Sequence, residues 1–186
     1  MMWVLLGIVG LLVLWGIATY NRLIGLKNQK ENGRRQIDVQ LKRRHDLIPN
    51  LVNTVRGAME FERDTLTQVM EARAKAMAAS GPADASRKEG ELTQALGRLF
   101  ALAENYPQLR ANENVKMLQE ELAATENKVG FARQFYNDIA TKYNIAREVF
   151  PANVVAGMFG FGAAELFEIT DAGERQVPAV DLSMKK

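Results

Sequence analysis

The sequence predicts an all-α protein, in which an N-terminal transmembrane helix precedes a bundle of long antiparallel helices with coiled-coil-like packing. Three observations predict this architecture: an uncharged apolar run opens the chain, apolar residues then recur at spacings of three and four, and proline-containing stops separate the helical stretches. A chain of 186 residues, 47% hydrophobic and 25% charged, fits one ordered, anchored domain. We divide it into an anchor over residues 1–21, a helical domain over residues 22–169 and a C-terminal tail over residues 170–186.

The anchor is predicted by residues 3–20, which lie in a stretch without any charge. As a helix this segment is about 27 Å long at about 1.5 Å per residue, close to the hydrocarbon thickness of a bilayer. Trp3, Trp15 and Tyr20 belong to it, and Trp3 and Tyr20 fall at its ends, where aromatic rings favour the headgroup layer. A cleaved signal peptide or a buried core helix fits less well, because no cation precedes the apolar run and residues 18–20 form a poor cleavage site.

A cluster of cations directly follows the predicted span and contains only two acids, Glu31 and Asp38. The cations are Arg22, Lys27, Lys30, Arg34, Arg35, Lys42, Arg43 and Arg44. By the positive-inside rule the N-terminus lies outside and the helical domain in the cytoplasm. We expect Arg22 and Lys27 to contact lipid headgroups and the cations from residue 42 onward to be solvated. No aromatic residues interleave with these cations, so nucleic-acid binding is not expected.

Residues 37–52, IDVQLKRRHDLIPNLV, form the junction between the anchor and the bundle. On a helix their apolar residues share one face, and Arg44 falls in the middle of it. A guanidinium there must pair with a carboxylate of another element, whereas Lys42 and Arg43 project away. Pro49 removes a backbone donor and predicts a kink or, as the alternative, a helix break. Arg44, His45 and Pro49 are therefore candidate junction residues.

The apolar period continues beyond residue 52, which predicts a first helix reaching about residue 79, before the stop at residues 80–82. A second helix is predicted over residues 84–105, closed by Tyr106-Pro107. The third runs from residue 115 to Phe150 with a seven-residue repeat, and the small Thr125 and Ala132 in its seam favour an intramolecular antiparallel bundle. Its glutamates include candidate partners for Arg44: Glu113, Glu120, Glu121, Glu126 and Glu148.

Residues 151–164 carry no charge and include three glycines. This segment either covers the end of the bundle, touches the membrane interface or forms a subunit contact. Residues 165–169 suggest a short helix or sheet edge, and residues 170–186 a mobile polar tail. The candidate interaction residues are Phe150, Pro151, Gly157, Phe159, Gly160 and Phe161.

Catalytic chemistry finds little support in the sequence, which has no cysteine and a single histidine, His45. Its neighbour Asp46 points about 100° away on a helix, so the two cannot form an acid–base pair. There is no HExxH motif, no phosphate-binding glycine loop and no two-histidine metal spacing. We therefore predict that the protein is not an enzyme and that it has no cofactor and no metal site.

Several long motifs resemble the LemA family of bacterial membrane proteins. They are Tyr20-Asn21, the block at residues 37–52, AENYPQLRAN at 103–112, LQEELAATENKV at 118–129, ARQFYNDIATKYN at 132–144 and FPANVVAGMFGF at 150–161. The sequence departs from the family at Gly33-Arg34-Arg35, where a tryptophan is usual, and at Ala58, where a tyrosine is usual. The resemblance implies a single span in the bacterial inner membrane, an outside N-terminus and a cytoplasmic domain of long helices. It implies no reaction.

The expected function is a non-enzymatic membrane-anchored scaffold that self-associates or docks onto other envelope proteins, through surfaces near residues 37–52 and 150–161. The expected partners are membrane lipid, further copies in a homo-oligomer and an envelope protein. The alternative is a regulatory adaptor subunit of a membrane protease or signalling protein.

Overall fold

A computed structural model describes residues 1–59 and 62–167, and this part of the chain contains helices and no strand. The helices are α1 (Met2–Arg56), α2 (Arg63–Met77), α3 (Gly81–Ala103), α4 (Pro107–Arg110), α5 (Glu113–Glu148) and α6 (Ala152–Met158). The predicted all-α fold with one long apolar N-terminal helix is confirmed. Helix α1 contains both the predicted anchor and the junction, since it passes residues 21 and 22 without interruption.

The C-terminal half of α1 forms a four-helix bundle with α2, α3 and α5. Helices α1 and α5 are antiparallel, because Lys30 lies over the ring of Tyr143 whereas Arg43, further along α1, pairs with Glu121 at the other end of α5. Helices α2 and α3 form a hairpin against this pair. The core is built from the apolar stripes of the four helices, including Ile48, Leu51, Val52, Val69, Leu92, Leu99, Val115 and Leu122. Each such side chain contributes roughly 1.5–3 kcal/mol when fully buried.

A second core fills the part of the α1–α5 pair that lies nearer the apolar end of α1. Here residues 161–167, which we name the strap, pack along α1 and α5 as a segment that is neither helix nor strand. They cover the part of these two helices that lies past the first residue of α3. Phe161, Ala164 and Phe167 of the strap are buried against residues of α1 and α5. The strap approaches α3 at Gly81, whose positive φ of 80° marks the first residue of that helix. The strap therefore extends the bundle where the α2–α3 hairpin stops.

The predicted first helix reaching residue 79 is wrong, because α1 ends at Arg56 and a turn at residues 57–59 precedes α2. The sequence did not reveal this turn because Val55 before it, Met59 within it, and Leu66 and Val69 after it are all buried in the same core. Gly57, the first residue of the turn, has the lowest helix propensity of residues 55–59. Pro49 lies inside α1, so the alternative of a helix break at that proline is also wrong.

The second and third predicted helices are confirmed with shifted ends. Helix α3 begins at Gly81 rather than residue 84, with Pro82 in its first turn, where a missing N–H has no consequence. Helix α5 ends at Glu148, so the prediction that Phe150 belongs to its buried seam is wrong: Phe150 is exposed. A residue that precedes proline is disfavoured in the helical conformation. Residues 165–167 are neither helix nor strand, and the predicted tail over 170–186 lies outside the described residues.

Candidate functional site

Arg44 occupies the centre of the bundle with a side chain that is only 2% exposed. Its Nη1 donates to Oε2 of Glu89 on α3 at 2.9 Å, and its Nη2 donates to Oγ1 of Thr93 at 2.8 Å. The same Nη2 also pairs with Glu126 of α5. The prediction that Arg44 pairs with a glutamate of another helix is confirmed. Three helices are therefore joined at one guanidinium.

His45 completes this buried ion cluster. Its Nε2 lies 2.7 Å from Oε1 of Glu89, so both oxygens of that carboxylate are engaged, one by His45 and one by Arg44. Both side chains of the His45–Glu89 pair are buried. An imidazole held in this way has no open face toward a substrate, and the geometry gives it a structural position in the core.

Arg73 of α2 replaces a main-chain hydrogen bond that α1 lacks at Pro49. Because Pro49 has no N–H, the carbonyl of His45, four residues earlier, loses its normal helical partner. The Nε of Arg73 on α2 donates to that carbonyl at 2.7 Å. A side chain of a neighbouring helix thus replaces the missing main-chain donor, which ties α2 to the centre of α1.

Arg133 of α5 is a partly buried cation beside the cluster. Burial lowers its pKa, and the carboxylates of Glu89 and Glu126 oppose that change while Arg44 adds to it. Its Nε and Nη2 are buried and have no hydrogen-bond partner among residues 1–59 and 62–167. The guanidinium lies over the ring of Phe167, with 5.7 Å between its Cζ and the ring centroid, where the aromatic face attracts a cation.

Lys42 and Arg43 project to the surface, as the sequence predicted. Lys42 donates to Asp46 at 2.8 Å, and this hydrogen bond lowers the pKa of that carboxyl. Arg43 pairs with Glu121 across the α1–α5 contact. Exposed pairs of this kind contribute about 0–1 kcal/mol each, so they matter less than the buried pair of Arg44 and Glu89.

The strap is held by two asparagines of α5, which each form a reciprocal pair with one residue. Asn144 donates to the carbonyl of Ala164 at 2.9 Å and accepts from its N–H at 2.8 Å. Asn137 does the same with Phe167, at 2.9 Å in both directions. These contacts involve only main-chain atoms of the strap and give the backbone of Ala164 and Phe167 the partners that a neighbouring strand would supply in a sheet.

Two tyrosines add a second row of contacts. The hydroxyl of Tyr143 donates to the carbonyl of Gly162 at 3.0 Å, and that of Tyr136 donates to the carbonyl of Glu165 at 2.9 Å. Seven residues of helix and three residues of extended chain both rise about 10 Å, so the two rows stay in register. Burial raises the pKa of both phenols, which favours the neutral form that donates.

An exposed aromatic groove lies on the other side of the α1–α5 pair. Its floor includes Val39, Phe131 and Phe135, which are all exposed although large and apolar; Phe131 is 72% exposed. Arg35 and Lys128 supply cations at the groove. Its volume is about 480 Å³, and its remaining lining residues are Gln36, Gln40 and Ala132. Sequence reasoning missed this groove, although Phe131 and Phe135 stand four residues apart off the buried seam.

The end of the predicted span meets the interaction segment. The ring of Tyr20 contacts Phe159 and Phe161 edge-on, with centroids 4.7 and 5.7 Å apart. Of the six candidate interaction residues only Phe161 is buried; the exposed ones are Phe150, Pro151, Gly157, Phe159 and Gly160. The anchor residues Trp3, Trp15, Arg22 and Lys27 are exposed. The structure thus brings Tyr20 to the interaction segment and leaves the Arg44 cluster well away from both.

The apolar half of α1 is long enough to span a bilayer, and none of its most apolar 18-residue window is buried. An exposed apolar helix of this length indicates membrane association. Within the described ranges no group of three or more histidine, aspartate or glutamate side chains is arranged to hold a metal ion.

Comparison with known protein families identifies the family to which this chain belongs. The profile of the LemA family matches residues 33–182. The chain belongs to the LemA family. The resemblance inferred from the motifs is thereby confirmed, and the matched region contains the Arg44 cluster, the aromatic groove and the strap.

Relatives of this LemA-family chain share about a quarter of its residues. Magnetosome protein MamQ 2 of Paramagnetospirillum magneticum is 26% identical over 184 residues, which cover 85% of this chain and 68% of the relative. Magnetosome protein MamQ of Magnetospirillum gryphiswaldense is 23% identical over the same length and coverage. Protein LemA of Metamycoplasma hominis is 24% identical over 166 residues, which cover 87% of this chain and 74% of the relative. These names mention no reaction.

Proposed function

We propose that this LemA-family protein is a non-enzymatic, membrane-anchored helical scaffold that self-associates or docks onto other envelope proteins. The observation that carries the proposal is the exposed aromatic groove formed by Val39, Phe131 and Phe135. Large apolar side chains grouped on the surface of a packed domain are typical of interaction sites.

The buried charges support a structural rather than a catalytic domain. Arg44, His45 and Glu89 are all buried, and each is engaged with another member of the cluster. Removing one member of a buried pair leaves an uncompensated charge, so such a cluster fixes how the helices pack. The resulting rigid bundle presents the groove on α1 and α5, the two longest helices.

The charge of the groove favours docking of a different protein over a symmetric contact between copies. Arg35 and Lys128 flank the apolar floor. In a two-fold symmetric dimer the same patch meets itself, which would bring these like charges together. An apolar helix with acidic flanking residues complements the groove in both shape and charge.

The cations after the span support an orientation with the N-terminus outside and the bundle on the cytoplasmic side of the bacterial inner membrane. The groove would then meet cytoplasmic segments of envelope proteins. A membrane-impermeant maleimide should label a Met2→Cys variant in intact cells and a Met117→Cys variant only after lysis. Labelling of Met117→Cys in intact cells would reverse the orientation.

Photo-crosslinking in cells tests the docking surface. We expect a benzoylphenylalanine in place of Phe131 to form a covalent adduct with a partner chain, and the Arg35→Glu/Lys128→Glu variant to lose it because the flanking charge is reversed. Met117, 58% exposed on the same helix, is the matched position at which no adduct should form. If neither position gives an adduct, the groove is not an interaction site.

A further inference from the structure

The surface around α6 is apolar, exposed and uncharged. We name residues 149–159 the foot. Five of its large apolar side chains are exposed: Val149, Phe150, Val154, Met158 and Phe159. None of residues 149–164 is charged, and Asn153 has the one polar side chain among them. The foot thus exposes a group of large apolar side chains and no charge.

The two faces of α6 have different surroundings. Val155 and Ala156 are buried, and Ala156 belongs to the core that contains Leu23 and Phe161. Val154 and Met158, which are four residues apart and share a face of the helix, are exposed. The helix therefore covers the end of the bundle with one face, and its other face has no partner within the described part of the chain.

The position of the foot relative to the span decides what covers that second face. Phe159 contacts the ring of Tyr20, the last residue of the predicted span. Residues 1–15 are all exposed, whereas Gly16, Thr19 and Tyr20 are partly covered. The cations Arg22 and Lys27, about half a turn and about two turns further along α1, are exposed. The foot lies at the level where the span ends and the basic residues begin.

We propose that the foot is seated in the interfacial layer of the bilayer, with Val154, Met158 and Phe159 in contact with lipid. In an anchored chain, a group that touches Tyr20 is at the membrane surface, so the apolar face is continuous with the lipid-exposed surface of the span. An uncharged apolar segment favours the boundary between headgroups and acyl chains, and exposed cations beside it favour anionic headgroups. The bundle would then stand on the membrane at two adjacent points, the anchor and the foot.

This lipid contact is independent of the groove on α1 and α5, because the two surfaces share no residue. It assigns the segment at residues 151–164 two of its three expected uses, covering the end of the bundle and touching the membrane. It also gives a reason for the exposure of Phe150 and Phe159 in the foot, since phenylalanine is one of the apolar residues that interfacial segments bury at the boundary between headgroups and acyl chains.

Spin labelling of the full-length chain tests the proposal directly, because the sequence contains no cysteine that would have to be removed. Nitroxides are attached to Met158→Cys and, in a second variant, Val154→Cys, and the protein is placed in vesicles of phosphatidylcholine and phosphatidylglycerol. Leu11→Cys in the span and Met117→Cys on the bundle are the lipid and water references; Met158 is 77% exposed and Met117 58%, so neither label should disturb packing.

We expect labels at positions 158 and 154 to collide more often with oxygen than with a water-soluble nickel chelate, as at position 11, and the label at position 117 to show the reverse. Nickel accessibility at 158 and 154 equal to that at 117 would place the foot in water and overturn the proposal. Low accessibility to both reagents, with spin–spin broadening, would place a second copy there and overturn it equally.

Discussion

At the scale of single residues, Arg44 is the side chain that joins three helices of the bundle. It is buried, always charged and paired with Glu89 and Glu126 from two other helices. Its position in an apolar stripe is visible in the sequence, and so is its need for a carboxylate. Glu89 could also have been anticipated, since it precedes Leu92 by three residues on the apolar stripe of α3. The choice of Glu126 among the glutamates of α5 depends on helix register, which the sequence leaves open.

Replacing Arg44 by leucine should destabilise the protein by about 3–5 kcal/mol, because it leaves Glu89 and Glu126 without their buried cation. The adjacent Arg43→Leu variant is the matched control: Arg43 is exposed and its pair with Glu121 should contribute about 1 kcal/mol or less. Denaturant unfolding of the full chain in detergent, followed by circular dichroism, compares the two. Equal losses would show that the buried cluster has no special weight.

The contact between Arg73 and the carbonyl of His45 should depend on Pro49. In the Arg73→Leu variant the carbonyl loses its donor, and we expect a loss of about 1–3 kcal/mol. In a Pro49→Ala background the backbone N–H of residue 49 can bond that carbonyl, so the same Arg73→Leu change should cost clearly less. A double-mutant cycle on unfolding free energies measures the difference. Strict additivity would mean that Arg73 does not replace the donor that proline removes.

At the scale of elements, the strap is the part that the apolar pattern could not reveal. Its main-chain contacts come from Asn137 and Asn144, and polar side chains on a helix are ordinarily assigned to solvent. A signal was present, because Tyr-Asn occurs twice at a spacing of seven, at residues 136–137 and 143–144. The turn between α1 and α2 was missed for another reason: the apolar period continues across it, since both helices face one core.

Asn144→Ala should loosen the strap, because it removes two hydrogen bonds to Ala164 at once. Each such bond contributes about 0.5–1.5 kcal/mol, so amide exchange at Ala164 should accelerate roughly tenfold or more. Hydrogen exchange measured by mass spectrometry on peptides covering residues 161–167 reports this. Asn114→Ala, an exposed asparagine at the start of α5, should leave the same peptides unchanged; acceleration there too would point to general destabilisation.

The tyrosine contacts of the strap should make it sensitive to alkali. Burial raises the pKa of Tyr136 and Tyr143 above the ordinary 10.0, so the unfolded state loses these protons first. The stability that the neutral phenols contribute is therefore fully present below about pH 10 and is lost as the pH rises through the raised values. Unfolding free energies measured on both sides of pH 10 should fall with pH, and less steeply in the Tyr136→Phe/Tyr143→Phe variant. An unchanged slope in that variant would assign the effect to other groups.

At the scale of the whole molecule, three features combine: an exposed apolar helix, a bundle fixed by buried charges, and an aromatic groove on its two longest helices. The apolar N-terminal helix and the helical bundle could be predicted, because length, charge and apolar period determine them, and the family could be predicted from its motifs. The groove was not predicted: Phe131 and Phe135 stand off the buried seam, but whether residues there stay exposed depends on which helix faces are left over after packing. Phe131 and Phe135 are apolar like the core residues and differ from them only in where the neighbouring helices lie.

The central claim is that the anchored bundle assembles with other protein chains, and the molecular mass of the full-length protein extracted in mild detergent tests it most directly. Light scattering should give a mass above that of the 20.8 kDa chain after subtraction of detergent, or a partner retained at a fixed ratio. The Phe131→Ser/Phe135→Ser variant should lose that excess, whereas Met117→Ser should keep it. A wild-type protein that is monomeric and carries no partner would contradict the account.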